Sequence, residues 1–262
     1  MKRRILGFAL LSALSLAGAT RAFAGTEPVC AAPSELTRAG FSLPRLARSL
    51  AQKTPTTILV LNSSAAKKTA ADKPASVAAA KDAVPRGFPG TIEELMRARY
   101  PDGEVVVTTN SQPRATAETI IATLPEVLAE AKPALMIWHT GTYDAILAAD
   151  TSSFSDAVLR GIEMAHEAGA DVIVVSPQYS PRTAFAFDVA PYTSALRWTA
   201  RAGHVPFFDR YDVMRFWETE GIFDFDSVRP SPSLYEDVHR CIGRLLVGMI
   251  VDGVDSRTLG SR

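Results

Sequence analysis

Ser63 and Ser64 stand where a short apolar run stops: Ile58, Leu59, Val60 and Leu61 are followed at once by Asn62, Ser63 and Ser64. A continuous aliphatic run of this length, ended by turn formers, predicts a strand buried on both faces. In open parallel α/β sheets ligands bind outside the carboxyl ends of the strands. A serine hydroxyl there can act as a nucleophile once a neighbouring base removes its proton. The same serines can equally make a turn and cap the next segment. Four histidines could supply a base. His139 falls beside Trp138 inside another apolar stretch and reads as a packed or strand-end residue. His166 lies on a helix next to Glu167, His204 in a turn, and His239 within the last helix. No cluster of His, Cys, Asp or Glu has metal-ligand spacing, and no cofactor is expected. The aromatic group Phe207, Phe208, Tyr211, Phe216 and Trp217 reads as core, with a substrate-binding wall as the alternative.

Positioning such groups requires elements, and the apolar periodicity supplies them. Short apolar runs predict strands at 56–61, 104–109, 134–140, 171–176 and 205–208. Between them, apolar residues at helical spacing predict helices from Pro89 to about 99, then at 116–131, 154–168, 190–202, 211–220 and 233–251. Gly169 and Gly203 supply helix stops. Alternation of this kind, without an internal repeat, predicts a parallel sheet covered by helices on both faces. Residues 25–55 carry four prolines and no sustained period, with one helical turn at 46–50; they read as an arm leading into the first strand. Residues 65–84 are nearly all Ala, Lys, Asp, Ser and Thr, the composition of a surface loop or a frayed helix.

The first 24 residues read as a signal peptide. Lys2, Arg3 and Arg4 form a basic start, an apolar stretch continues to Ala19, and Ala22-Phe23-Ala24 matches the small-x-small cleavage pattern. The expected domain plan is a signal peptide at 1–24, an arm at 25–55, one α/β domain at 56–252 and a tail at 253–262. The expected address is periplasmic or secreted, with no stable membrane insertion after cleavage. Cleavage lowers the basic count from 28 to 24 against 28 acids, a net charge near −4. Without a basic stripe, nucleic-acid binding has no electrostatic support. Cys30 and Cys241 are the only cysteines. An oxidising compartment permits a bond between them, and two isolated cysteines cannot make a zinc site.

The order of these strand ends resembles the SGNH (GDSL-like) hydrolase superfamily over most of residues 56–250. In that superfamily the first strand ends in Gly-Asp-Ser or Gly-Ser-Ser; here Asn62-Ser63-Ser64 takes the place, which makes Ser64 the candidate nucleophile. Asn110-Ser111-Gln112 stands for the Asn-x-Gly block, and Gly141-Thr142-Tyr143-Asp144 for the Gly-x-Asn-Asp block. The resemblance implies a three-layer α/β/α, flavodoxin-like fold with a five-stranded parallel sheet in the order 2-1-3-4-5. It also implies an oxyanion site built from the Ser64 and Gln112 amides, with Tyr143 where an asparagine is expected.

The last block departs from the pattern. Asp226-Ser227-Val228-Arg229-Pro230 aligns with Asp-x-x-His-Pro, so Arg229 stands where the histidine is expected. An arginine stays protonated and cannot take a proton from serine. His239 offers a competing register, three residues after Glu236. The expected function is therefore that of a hydrolase-superfamily protein with weakened or lost acyl-ester chemistry, acting by binding a small-molecule or glycan ligand as a monomer. The alternative is an active serine esterase using Ser64 with His239 as base. Arg182 and Arg229, near the same edge, predict a preference for an anionic or acidic-sugar ligand.

Overall fold

A computed structural model of the chain describes residues 30–63, 87–182 and 184–259. The signal segment, residues 65–84 and the candidate nucleophile Ser64 lie outside the described residues.

Alternate side chains of β1 (Thr56–Asn62) face opposite layers: Ile58 and Val60 one way, Leu59 and Leu61 the other. A strand apolar on both faces is stable only with a neighbour on each edge and helices above and below. β1 pairs in parallel with β2 (Val105–Ser111) and with β3 (Leu135–His139). β3 pairs with β4 (Asp171–Val175), and β4 with β5 (Phe207–Phe208). The sheet is five-stranded and all parallel, in the order β2-β1-β3-β4-β5. The expected topology is the observed one.

The described helices are α1 (Ser34–Thr37), α2 (Pro44–Ala51), α3 (Phe88–Arg99), α4 (Ala117–Ala131), α5 (Thr142–Ile146), α6 (Thr151–Glu167), α7 (Ala190–Ala202), α8 (Arg210–Thr219) and α9 (Leu234–Leu259). Ile120 and Leu124 of α4, Phe154, Val158 and Ile162 of α6 and Leu196 of α7 cover the face that holds Leu59 and Leu61. Ile92 and Met96 of α3, Val213 and Trp217 of α8, and Ile242, Leu246 and Met249 of α9 cover the other. The result is three layers, α/β/α.

Three elements differ from the sequence reading. The arm contains two turns of helix, α2, rather than one. Its start is held by Asp171, whose carboxylate accepts the Arg45 and Leu46 amides at 2.8 and 2.9 Å. Helix α5 was not expected; the chain enters it through Gly141 at φ +95°, a backbone shape that favours glycine. Helix α9 runs to Leu259 rather than stopping at 251, because Gly253 is not a stop here. A Cβ on Gly253 would lie 2.8 Å from Leu43 Cγ, so the glycine lets the arm pack against the helix. Leu43 N–H donates to Gly253 O at 2.9 Å across the same contact. The arm is further fastened to α9 by a disulfide between Cys30 and Cys241.

Candidate functional site

Strand register decides what stands at the carboxyl edge. Ser111, Asn62, His139, Val175 and Phe208 are level across the five strands. The chain leaves β1 to build β2 on one side and later builds β3 on the other, so the topological switch point lies between β1 and β3. Asn62 and His139 face each other there, with Oδ1 and Nδ1 3.1 Å apart. A carbonyl oxygen only accepts, so Nδ1 carries the ring proton and Nε2 the lone pair. Among the described residues, His139 Nε2 is buried without a partner, and so are the Ser63 and Thr140 hydroxyls one residue further along their strands.

Side-chain alternation turns His139 into the layer of α3, α8 and α9, where Arg210 and His239 lie. Arg210 is the first residue of α8, directly after the helix-capping Asp209. The Asp209 carboxylate accepts from the Asp212 amide and the Ser176 hydroxyl, each at 3.1 Å, and pairs with Arg197. Arg210 itself makes no ion pair among the described residues. Its Nη2 donates to Gln178 Oε1 at 3.3 Å, and its Nε is buried with no partner among the described residues. Burial pushes the guanidinium down to about 10, with Tyr235 acting in the opposite direction.

His239 comes from α9. Phe88 N–H donates to its Nδ1 at 3.2 Å, which places the ring proton on Nε2. The ring stacks on Phe88 and lies 4.2 Å from the Tyr235 ring. Gly87, at φ +74°, makes this approach possible, since a Cβ there would sit 2.9 Å from His239 Nδ1. Burial, then the positive charge of Arg210, push His239 down to about 3. Burial, then Arg210 and His239, hold His139 well below the usual histidine range. Both rings are therefore neutral at physiological pH. Tyr235 and His239 form one wall of a groove of about 910 Å³, with Gly87, Gly90, Thr91 and Glu94 opposite.

The other sequence candidates occupy separate places. Asp226 and Arg229 lie exposed in the loop before α9, and no ion pair joins them among the described residues. Arg182 Nη2 donates to the carbonyls of Asp226 and Ser227, so it steadies that loop through its backbone. Tyr143 is half-buried on α5. Its neighbour Asp144 is a structural residue: Oδ1 accepts the Ala117 amide at 3.0 Å and ties the end of β3 to the start of α4. Gln112 requires a correction. Its backbone N–H donates to Asn62 O at 2.9 Å and extends the β1–β2 ladder, so it is not a free oxyanion donor. Its side-chain amide donates to Asn110 Oδ1 and Thr123 Oγ1.

The cluster therefore centres on His139, which read as packing, and on Arg210, which the sequence reading did not single out. One local signal pointed to Arg210. A cation in the first turn of a helix opposes the helix dipole, so an arginine directly after a capping aspartate has no local reason to be there. Among the described residues no group of three His, Cys, Asp or Glu side chains is placed to hold a metal ion.

A five-stranded parallel sheet in this order is the flavodoxin-like arrangement, and SGNH-type hydrolases share it. The model of the Non-GDSL lipase-like family matches residues 29–256, and the chain belongs to that family. Among solved structures, the acetylxylan esterase Axe2 from Geobacillus stearothermophilus is 16% identical, with 74% of this chain and 94% of that chain covered and a TM-score of 0.57. A catalytic mutant of the same enzyme aligns with 16% identity, the same coverage and a TM-score of 0.56. TesA is 20% identical over 73% of this chain and 100% of its own, with a TM-score of 0.47. No curated protein matches the chain.

Proposed function

We propose that this chain is an exported member of the ester-hydrolase superfamily whose carboxyl-edge cleft binds an acylated or glycan ligand with little or no turnover. One observation carries the reading. The lone pair of His239, the histidine nearest to a base position in sequence, is occupied by the Phe88 amide. In a serine hydrolase the base offers a lone pair to the nucleophile and takes its proton. His239 instead presents an Nε2–H, which can donate to a ligand but cannot accept from Ser64. Its low proton affinity works in the same direction. Arg229, at the expected histidine position, cannot take the role. Export is supported by the Cys30–Cys241 bond, of a kind that persists in oxidising compartments. A carbohydrate ester is the ligand class we favour; the fold neighbour from Geobacillus is an acetylxylan esterase.

Hydrolysis of 4-nitrophenyl acetate by the purified chain tests this reading. Wild type, Ser64→Ala and His239→Ala should all run at the uncatalysed rate. Turnover above about 1 s⁻¹, the lower end of ordinary enzymes, lost on Ser64→Ala, would overturn it.

A second reading, an active serine esterase using Ser64 and His239, is favoured by one observation: His239 lines the groove and lies close enough to Arg210 and His139 to share their field. It requires the Phe88 amide to release Nδ1, and it predicts that His239→Ala abolishes turnover.

A further inference from the structure

The groove between helices α3 and α9 has a wall of stacked rings. Phe88, at the start of α3, lies nearly parallel to His239 with ring centroids 5.8 Å apart, and His239 in turn lies 4.2 Å from Tyr235. The three rings lead from the core to the surface: Phe88 is 2% exposed and Tyr235 64%. Tyr235 and His239 are four residues apart on α9, the spacing that brings side chains together on a helix. The Phe88 amide fixes the His239 ring through Nδ1. The Tyr235 ring is thus braced by its neighbours, so little ordering entropy is lost when a ligand covers it. The groove beside it, about 910 Å³, has the size of a small-molecule site.

The polar groups of the groove divide into two sets. Glu93 and Arg97 belong to the fold: they pair with each other at 2.9 Å, Glu93 accepts the Val107 amide, and Arg97 donates to Val105 O. Glu94, Glu236 and Arg240 also line the groove, are exposed, and form no ion pair among the described residues. Two carboxylates and one guanidinium are therefore open to a ligand, and His239 adds a neutral N–H donor on Nε2. Carboxylates only accept hydrogen bonds and a guanidinium only donates them. A ligand carrying charge of one sign meets a like charge along this groove, whereas a hydroxyl, which both donates and accepts, suits every group in it. A pyranose joins a rim of hydroxyls to a face of C–H bonds, whose weakly positive hydrogens match the negative face of an aromatic ring. Arg182 and Arg229, the basis for expecting an acidic sugar, do not line the groove. We propose that the groove between α3 and α9 binds a neutral oligosaccharide, with one pyranose ring lying on Tyr235 and the surrounding hydroxyls held by Glu94, Glu236 and Arg240. The inference rests on the reading of the carboxyl edge as a ligand site, and it names which glycans that site takes.

The probes are xylohexaose and cellohexaose, with hexagalacturonate and a glucosamine hexamer as anionic and cationic counterparts, read by calorimetry. At least one neutral hexamer should bind wild type, with an affinity unchanged between about 50 and 500 mM NaCl, because no ion pair with the ligand is there to be screened. Tyr235→Ala should bind it about 5- to 30-fold more weakly, the effect of truncating an anchoring aromatic side chain. Tyr235→Phe keeps the ring and should bind as wild type does. Binding of neither neutral hexamer, equal binding by wild type and Tyr235→Ala, or tighter binding of a charged hexamer that weakens with salt would overturn the proposal. Should Tyr235→Ala fail to fold, ring NMR of the wild type decides: the Tyr235 resonances must shift on addition of the neutral hexamer, and unmoved resonances overturn the proposal. The ester assay reads turnover and this one reads binding. A chain that turns over 4-nitrophenyl acetate yet holds a neutral hexamer through Tyr235 overturns the earlier reading alone, and one that does neither overturns this inference alone.

Discussion

Asn62 and His139 are partners across the β1–β3 register, and Asn62 fixes which ring nitrogen of His139 carries the proton. The pair sits on the two strands between which the topology switches. Asn62→Ala should leave a buried N–H unpaired and destabilise the fold by about 1–3 kcal/mol, read as a lower urea midpoint. Asn62→Asp should raise the His139 titration, since a carboxylate beside Nδ1 favours the imidazolium. A His139 ring that titrates identically in both proteins would count against the contact.

The depressed histidines His139, His166 and His239 make stability depend on pH in a definite direction. His239 titrates near 3 in the folded chain, against about 6.5 unfolded. Between those values the unfolded chain binds the extra proton, so stability is full above about 6.5 and is lost as pH falls toward about 3. The slope is at most about 1.4 kcal/mol per pH unit for each such histidine. His139 adds to it with the same sign. Urea unfolding at pH 7, 6 and 5 should show a falling midpoint. His239→Asn, which keeps an acceptor for the Phe88 amide but does not titrate, should flatten the fall; an unchanged slope would remove His239 from this account.

Helix α6 lies against β3 through a glycine. A Cβ on Gly161 would meet Trp138 Cζ3 at 2.3 Å, and Trp138 is fully buried. Alanine in place of glycine favours a helix by about 1 kcal/mol, but overpacking a filled core costs about 1–3 kcal/mol. With the indole ring unable to retreat, the clash wins. Gly161→Ala should therefore lower the melting temperature, and a stabilised variant would mean that α6 stands further from the sheet.

Reduction of Cys30–Cys241 should be costly. The bond spans 211 residues of sequence, and for a loop this long the chain-entropy estimate is about 5 kcal/mol, with typical measured values of about 2–4 kcal/mol. Melting with and without reductant, and of Cys30→Ala with Cys241→Ala, should give matching losses. A chain that melts at the same temperature in both redox states would show that the packing of Leu43, Leu46 and Leu50 and the hydrogen bonds to Asp171 and Gly253 hold the arm without the bridge.

The sheet was legible because each strand is an apolar run cut off by turn formers, and its order came from the way Asn62-Ser63-Ser64, Asn110 and Gly141 succeed one another. The cluster beneath it was not. His139 reads as core because Trp138 and Ile137 flank it, and nothing in sequence says that it stands opposite Asn62, 77 positions away. Arg210 meets Gln178, and comes within electrostatic reach of the two histidines, only after β4, β5 and α9 are in place. Gly253 and Gly87 have the composition of stops and turns, but they serve as points of close approach, to Leu43 and to His239. Such roles depend on partners far along the chain, which local pattern does not encode.

The sulfur bridge also has a near side and a far side. Cys241 is wholly buried on α9, whereas Cys30, on the arm, is only partly buried. Exchange begins when a thiolate attacks one sulfur of a bridge and displaces the other. An outside thiol therefore meets this bridge at Cys30, and the thiol it releases is the one inside the fold. With no third cysteine in the chain, the one mistake open to the pair during folding is a bridge between two molecules. The redox state of the pair answers to its surroundings through the arm.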